Sequence, residues 1–341
     1  MKKDLFNESK KRIEDKINEI LDKEIKKYDN NEFIKESLEE LKRLSSGGKR
    51  VRGYLVKLGQ LLFGKNDDSY VDLAAALEIF QTAILIHDDI IDEADKRRGM
   101  DTINSKYKGH IGISKAICIG DLGFFISYRI INNANISKEL KEEIIKVYSK
   151  TLHNTVNGEI VDVELPLKDI NYHKNMSEKI IYDIYVNKTA WYTIIGPILI
   201  GAASAGATEE EKQKLIEMGT HLGIAFQIKD DLLGLYSTDN EMGKTLNDIK
   251  EGKQTIIYKY AIDHASNKDL EVIKKYYGNS NVTEEGDRII IDLFDKLGAR
   301  KNAERLVKEY TDKGIYIINE MDVQNKELFM EFANYLLIRE N

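Results

Sequence analysis

Apolar residues recur at helical spacing along most of the chain, and period-two alternation is scarce. Leu5, Ile13, Ile17, Ile20, Leu21 and Ile25 mark one face of a first helix. Ile34, Leu38 and Leu41 mark a second. Residues 71–91 are apolar nearly all round, which predicts a helix in the middle of a core. Further helices are expected over 111–132, 138–157, 179–187 and 209–233, with several more towards the C-terminus. The uncharged stretch 190–207 sits at the lower length limit for a membrane span. It contains Gly196-Pro197, Gly201 and Ser204, and is expected to be a buried core helix kinked at Pro197. Short polar loops fall at 65–69, 132–137 and 279–285, and 267–286 reads as a looser surface excursion. No Pro/Gly/Ser tract divides the chain, so the expectation is an all-α fold in a single domain over 1–341.

Composition narrows the function classes. Acidic residues outnumber basic ones, 58 to 51, in 341 residues, and the net charge of −7 argues against a nucleic-acid binder. The single cysteine, Cys118, excludes an internal disulfide, fits a reducing compartment and is expected to be a small buried hydrophobe. Residues 1–27 mix Lys with Asp and Glu and lack an apolar core segment, so neither a signal nor a transit peptide is expected. A soluble, cytoplasmic protein without a membrane span follows as an expectation.

Two aspartate clusters carry the chemistry. His87-Asp88-Asp89-Ile90-Ile91-Asp92 is followed by Arg97-Arg98-Gly99, and Phe226-Gln227-Ile228-Lys229-Asp230-Asp231 by Leu232-Leu233-Gly234. Helical spacing puts Asp88 and Asp92 on one face, while Asp89 points elsewhere and would act indirectly. Carboxylates that close repel unless a cation neutralises them, and hard oxygen ligands beside phosphates suit Mg²⁺. A solvated helix end is the bland alternative. Acidic residues at a helix C-terminus oppose the macrodipole, however, so an idle surface should avoid them there. The second cluster alone is no better than an even choice between a metal site and a surface pair. The mirrored placement, each cluster ending an apolar helix with a Gln nearby (Gln81, Gln227), favours the metal.

Ser45-Ser46-Gly47-Gly48-Lys49-Arg50-Val51-Arg52 reads as a Gly-Gly turn opening a helix, a place that favours an anion. Lys49 and Arg52, three apart, can reach one phosphate. It is not a Walker A loop, because Arg43 stands where the upstream glycine is required. Gly243-Lys244-Thr245 fails likewise at Thr238, so nucleotide hydrolysis is disfavoured. By itself Lys188-Thr189 reads as a surface lysine and a capping threonine at a helix junction.

Taken together these elements resemble the polyprenyl synthetase family, the trans-isoprenyl diphosphate synthases, most like the geranylgeranyl type. The resemblance rests on Gly47-Gly48-Lys49-Arg50-Val51-Arg52, Asp88-Asp89-Ile90-Ile91-Asp92 and Arg97-Arg98-Gly99. It continues through Gly120-Asp121, Gly158-Glu159 with Asp162, Lys188-Thr189-Ala190 and Phe226-Gln227 with Asp230-Asp231. Gly243-Lys244, Asp248 and Gly252-Lys253-Gln254-Thr255 complete it, all in the family's order.

The resemblance implies a helical bundle around a deep central cavity, a homodimer, and condensation of isopentenyl diphosphate with allylic diphosphates (dimethylallyl, geranyl, farnesyl). It implies two Mg²⁺ at Asp88 and Asp92 and a third at Asp230. Arg97, Lys188 and Lys244 would neutralise the allylic diphosphate. Lys49, Arg52, Gln81 and Arg98 would hold isopentenyl diphosphate, and Gly48 and Lys253 would also bind substrate. Thr189 and Gln227 would face the developing allylic cation. Residues five and four before the first motif, Ala83 and Ile84, would lie at the cavity floor, leaving a channel open to Phe80 and a C20 to C25 product.

The chain departs from the family at Gly53, where proline is usual, at Met100-Asp101-Thr102-Ile103-Asn104, and at Gly234, where the second motif usually ends in aspartate. A class I terpene cyclase and a non-catalytic subunit of a heteromeric synthase are the rival readings. The first would need an Asn/Ser/Glu metal motif, which is not found near Asn247-Asp248. The second typically lacks the first acidic motif, which is whole here.

Overall fold

The computed structural model describes residues 3–107, 109–236 and 248–337. They form α1 (Lys3–Lys26), α2 (Glu32–Ser45), α3 (Val51–Leu62), α4 (Tyr70–Ile91), a two-stranded ribbon of β1 (Lys96–Arg97) and β2 (Met100–Asp101), α5 (Ile103–Lys106), α6 (Gly109–Asn133) and α7 (Lys138–Glu164). A short 3₁₀ turn, Leu165–Leu167, leads to α8 (Ile170–Asn175), α9 (Lys179–Ile184), a π-helical segment (Tyr185–Ile195), α10 (Gly196–Ser204) and α11 (Glu209–Tyr236). The remainder is α12 (Asp248–Glu251), α13 (Ile256–His264), α14 (Asn267–Tyr276), α15 (Glu284–Lys296), α16 (Ala299–Glu320) and α17 (Lys326–Leu337). The expected all-α fold is present; the ribbon is a local addition.

Contacts group the chain into two compact units. One comprises Met1–Thr151, Tyr192–Ile216 and Met321–Phe332, the other Leu152–Trp191, Glu217–Glu320 and Ala333–Asn341. In the first unit α4 packs along α6, α3 packs on α10, and α1 and α3 both pack on α4. Leu73, Ala74, Ala76, Leu77 and Ile79 of α4 are fully buried, as its apolar circumference requires. Both α4 and α6 are long and apolar enough to cross a membrane by length and composition alone. The α4 stretch is 67% buried, that of a core helix, whereas the α6 stretch is 39% buried and keeps an open face. In the second unit Ile181, Ile228, Ile256, Ile262, Ile290 and Phe294 share one core.

Three expectations need correction or refinement. The stretch 190–207 is not one kinked α-helix: a π-helical run ends at Ile195, and α10 starts at Gly196 with Pro197 in its first turn. Proline is tolerated there because first-turn amides need no intrahelical acceptor. Residues 267–286 are not a loose excursion. A capping box of Ser266 and Asp269 starts α14, and Ile273, Tyr277 and Val282 join the second unit's core. Cys118 is exposed, because it lies on the face of α6 away from buried Ala116, Ile119 and Gly120.

Candidate active site

The first aspartate motif ends α4 in a tight C-terminal turn. The Asp92 amide donates to the Asp88 carbonyl at 2.8 Å, Glu93 to Ile90 at 3.3 Å, and Ala94 to Asp89 at 2.9 Å. Glu93 takes the left-handed conformation this closure needs (φ 49°). The chain then reverses through β1 and β2, with Arg98 (φ 52°) and Gly99 (φ 76°) as the paired left-handed turn residues. That hairpin returns Arg97 to the motif. Its Nη2 donates to Asp88 Oδ2 at 2.7 Å and its Nε to Asp89 Oδ1 at 2.5 Å. Asp89 is thus not separated from Asp88 as the helical wheel suggests: it is buried, yet one guanidinium binds both. Desolvation disfavours the Arg97 charge, but Asp88, Asp89 and Asp92 outweigh it and hold the group above its ordinary pKa.

The residues that depart from the family after this motif are structural. Thr102 Oγ1 donates to the Ala94 carbonyl at 2.7 Å and caps α5 by accepting from the Ser105 amide at 3.3 Å. Asn104 Nδ2 reaches the carbonyls of Asp89 (3.3 Å) and Ala94 (3.2 Å). Together they fasten the chain that follows the motif.

The basic loop lies in the same unit. Gly47 (φ 75°), Gly48 (φ 90°) and Arg50 (φ 53°) are left-handed, and α3 begins directly afterwards. A methyl group at Gly48 would lie 3.0 Å from Arg98 Nη1, so glycine lets the two come together. The Arg98 guanidinium lies against protein atoms although the residue as a whole is exposed. Desolvation, with Arg52 and Arg50 nearby, pushes its pKa down. Arg52 is buried, with its guanidinium 4.3 Å from the Tyr192 ring centroid and Nη2 2.9 Å from Thr193 Oγ1. Arg50, between Glu14 and Glu78 at 3.5 and 3.6 Å, is instead a structural cation. Lys49 is exposed at the tip. Gathered cations of this kind favour a polyanion.

Upstream on α4, Phe80 is 1% exposed and packs against Phe124 (centroids 5.6 Å) and Tyr148 (5.4 Å). Ala83 is fully buried against α6, where a methyl group at Gly123 would lie 2.9 Å from its Cβ. Ala83 therefore fills a helix crossing instead of leaving free space beside it. Gln81 and Ile84 are half-buried.

The second unit holds the other candidates. On α11, Gln227 and Asp231 are one turn apart, and Gln227 Nε2 donates to Asp231 Oδ1 at 2.8 Å. Thr189 Oγ1 donates to Gln227 Oε1 at 2.5 Å. The Tyr185 hydroxyl donates to Asp231 Oδ2 and accepts from the Ile256 amide at 2.8 Å. Burial pushes the Asp231 carboxyl up to about 8; Tyr185 and Gln227 oppose this, while Asp248 and Asp230 reinforce it. Asp231 therefore anchors a network, and Asp230, half-buried beside it, is the motif's more accessible carboxylate. Lys188 Nζ binds Asp162 at 2.6 Å and Glu159 at 2.9 Å, and Lys253 lies 3.5 Å from the same Asp162. Burial raises Asp162, but Lys188 and Lys253 outweigh it and keep the carboxyl below its ordinary range. Lys188 is thus not a plain surface lysine. Lys244 lies outside the described residues.

The structure brings together Asp88, Asp89 and Arg97; Gly48 and Arg98; Thr189, Gln227 and Asp231; and Lys188 and Lys253 through Asp162. Sequence reasoning missed Tyr185, whose only signal is a position three residues before Lys188. It also missed the pairing of Glu159 and Asp162 with Lys188, although both stand among the residues that carry the resemblance.

The donor set fits magnesium with diphosphate. The acidic donors are carboxylate oxygens, and a cation, Arg97, already bridges two of them. Among the described residues no group of three or more His, Cys, Asp or Glu forms a cage able to hold a metal alone. Mg²⁺ dehydrates reluctantly and typically takes one or two carboxylates with substrate phosphates supplying the rest.

Comparison with known proteins gives a consistent answer. Residues 32–293 match the family model for polyprenyl synthetase. The chain is 30% identical over 283 residues to the short chain isoprenyl diphosphate synthase of Methanocaldococcus jannaschii, covering 83% of this chain and 80% of that protein. It is also 30% identical to the geranylgeranyl diphosphate synthase of Sulfolobus acidocaldarius, covering 83% of this chain and 85% of that protein. Among solved structures, the geranylgeranyl pyrophosphate synthase of Corynebacterium glutamicum, complexed with isoprenyl diphosphate and magnesium, superposes with a TM-score of 0.87. That match is at 27% identity and covers 96% of this chain and 97% of that one. The Pyrococcus horikoshii geranylgeranyl pyrophosphate synthetase gives 0.86 at 26% identity, covering 99% of both chains. With the family model matched across both units and relatives aligned over most of its length, this chain belongs to the polyprenyl synthetase family and has the all-α isoprenoid synthase fold.

Proposed function

We propose that this protein is a magnesium-dependent trans-prenyltransferase. It condenses isopentenyl diphosphate head-to-tail with dimethylallyl, geranyl or farnesyl diphosphate and releases diphosphate. The product is a C20 to C25 polyprenyl diphosphate such as geranylgeranyl diphosphate. The observation that carries this reading is the carboxylate pair Asp88–Asp89, held by Arg97 in the same unit as the Gly48–Arg98 basic loop.

Asp88 and Asp92 would hold two magnesium ions and Asp230 a third, as the resemblance assigns them; such ions would supply charge neutralisation of the leaving diphosphate, which eases breaking of the allylic C–O bond. Arg97, Lys188 and Lys244 bind the allylic diphosphate. Arg97 and Lys188, each paired to carboxylates, keep those acids compatible with the fold until substrate takes the cations. Lys49, Arg52, Gln81 and Arg98 hold isopentenyl diphosphate, and Gly48 and Lys253 share in binding substrate. Thr189 donates its proton to Gln227, which leaves the hydroxyl lone pairs to face the developing cation. Isopentenyl diphosphate attacks as a positioned alkene, so orientation supplies much of the rate. Released diphosphate takes the final proton, and no side-chain base is required.

Phe80 closes the floor of the product channel, with Ile84 one turn above. Ala83 acts there through its packing on Gly123. The exposed Ile117, Phe125 and Tyr128 of α6 support a homodimer. The family match spans residues of both units, which supports one isoprenoid synthase domain over 1–341. Acidic composition and a lone cysteine support a cytoplasmic enzyme without a membrane span or a nucleic-acid partner.

The test is incubation with farnesyl diphosphate and Mg²⁺, with and without isopentenyl diphosphate, followed by chain-length analysis. Consumption only when both substrates are present, giving C20 to C25 diphosphates, supports the proposal. Conversion of farnesyl diphosphate alone to hydrocarbon would instead identify a cyclase.

A further inference from the structure

Tyr185 lies outside every motif, yet it is tied to the residues assigned to the reacting carbon. It opens the π-helical segment that carries Lys188 and Thr189, and it is 3% exposed. Tyr185 and Thr189 are four residues apart on that segment, as Gln227 and Asp231 are on α11, so each pair shares one helical face. The two faces meet, Tyr185 on Asp231 and Thr189 on Gln227. Close backbone approach holds the segment in place. A Cβ on Gly158 of α7 would strike the Lys188 amide, and one on Gly223 of α11 would strike Ala190.

Donor count gives each bond its direction. Asp231 accepts at both oxygens, Oδ2 from the Tyr185 hydroxyl and Oδ1 from Gln227 Nε2. The amide nitrogen of Gln227 therefore faces Asp231, and its oxygen is left to face Thr189. Thr189 then has to donate, which frees its lone pairs. A hydroxyl alone would pair with either end of the amide, so Asp231 decides which way Gln227 points. Tyr185 in turn holds Asp231, because its hydroxyl also accepts from the Ile256 amide at 2.8 Å. Ile256 is the first residue of α13, where an amide has no intrahelical partner. Burial, reinforced by Asp231, pushes the Tyr185 pKa well up, so the hydroxyl keeps the proton it donates.

We propose that Tyr185 is a positioning residue for prenyl transfer: through Asp231 it fixes the Gln227 amide, and so turns the Thr189 lone pairs towards the allylic cation. It acts through its neighbours and not on the substrate. Without its hydroxyl, a buried carboxyl oxygen and a buried amide lose their shared partner, and the amide of Gln227 is no longer held to one orientation. The inference rests on the prenyl-transfer reading above and concerns residues of the second unit alone.

Tyr185→Phe removes the hydroxyl and keeps the ring. Wild type, Tyr185→Phe, Thr189→Ala and the double variant are compared as full-length proteins with Mg²⁺, with circular dichroism as the check on folding. Tyr185→Phe is expected to lower kcat by about tenfold while KM for isopentenyl diphosphate is unchanged. Two ligands then separate positioning from a merely structural role. Farnesyl thiodiphosphate, whose leaving group resists ionisation, reports ground-state binding; an analogue with a protonated amine in place of C3 mimics the cation. In Tyr185→Phe the ammonium analogue is expected to bind about tenfold more weakly and the thiodiphosphate as in wild type. In the Thr189→Ala background Tyr185→Phe is expected to add nothing, because the two side chains act as a unit. Additive loss in the double variant, equal weakening of both ligands, or wild-type kcat in a folded Tyr185→Phe overturns the inference and leaves the functional reading intact. If Tyr185→Phe does not fold, hydrogen exchange of the wild type decides. The Ile256 amide is expected to be protected through Tyr185, and exchange as fast as that of an open first-turn amide overturns the inference. A wild type that does not join the two diphosphates overturns the functional reading, and the inference with it.

Discussion

Gly53 departs from the family's usual proline for a local reason. Its amide donates to Glu78 Oε1 at 2.8 Å, and Glu78 is 3% exposed. Proline has no N–H to offer, and a Cβ there would lie 2.7 Å from Ile13 Cδ1. Gly53→Pro is expected to destabilise by about 1–3 kcal/mol, the typical penalty for an unsatisfied buried acceptor. Urea unfolding measures this, and an unchanged or raised midpoint would contradict it. Phe80 makes a second prediction. Phe80→Ala is expected to lengthen the product by one isoprene unit while destabilising the fold by about 3–5 kcal/mol. Product analysis at low temperature on protein shown to be folded decides it, and an unshifted length removes Phe80 from the floor. A third concerns His173, which is buried with Nε2 2.9 Å from the Leu165 carbonyl and Nδ1 3.1 Å from the Tyr258 hydroxyl. Burial lowers its pKa below 6.5, against smaller opposing effects of Leu165 and Asp169. A depressed folded-state value means its contribution is present above pH 6.5 and is lost as pH falls through the folded pKa. Wild type should therefore lose stability on acidification more steeply than His173→Gln; parallel pH profiles would contradict this. At this scale the sequence made residue types and spacing legible, notably Asp88 with Asp92 and Lys188 with Thr189. It did not reveal that Arg97 bridges Asp88 and Asp89, because a nine-residue separation becomes a contact only once Arg98 and Gly99 close a hairpin.

Helices were legible wherever one face or the whole circumference is apolar, as in α1, α2, α4 and α11. They were less legible where caps and backbone closeness decide. The capping box at Ser266 turned an apparent loop into α14, a signal of polar side chains that apolar periodicity does not capture. Pro197 sits in the first turn of α10 and not at the expected kink, and the π-helical run before it has no periodic signature, since such runs arise from packing. The crossing of α3 and α10 shows what close approach requires. A Cβ on Gly201 would strike the Val56 carbonyl, and one on Gly59 would strike that of Ile198. Gly201→Ala is expected to cost about 1–3 kcal/mol or more, because backbone rather than a flexible side chain must yield. Thermal unfolding checks this; an unaltered Tm would mean the two helices separate freely.

For the whole molecule, membership of the polyprenyl synthetase family was legible from the ordered motifs, with no one motif sufficient. Assembly was not legible from motifs, because an association surface is read from exposure. On α6, Phe125 is 73% exposed and Ile117 45%, more apolar surface than an isolated helix face ordinarily leaves to water. On the proposed homodimer, the wild type is expected to sediment as a dimer and the double variant Ile117→Lys/Phe125→Glu as a monomer; a wild type that sediments as a monomer contradicts the proposal, and a variant that stays dimeric places the interface elsewhere. The claim on which the account depends is magnesium-dependent condensation of two diphosphates by the first aspartate motif. The most direct measurement is incorporation of labelled isopentenyl diphosphate into farnesyl diphosphate by wild type and Asp88→Ala, each with Mg²⁺ and with chelator. The account predicts C20 to C25 product only from wild type with Mg²⁺, and at least a hundredfold loss in the variant, about 2.7 kcal/mol or more in barrier. Equal incorporation by Asp88→Ala, or elongation undiminished in chelator, would contradict it.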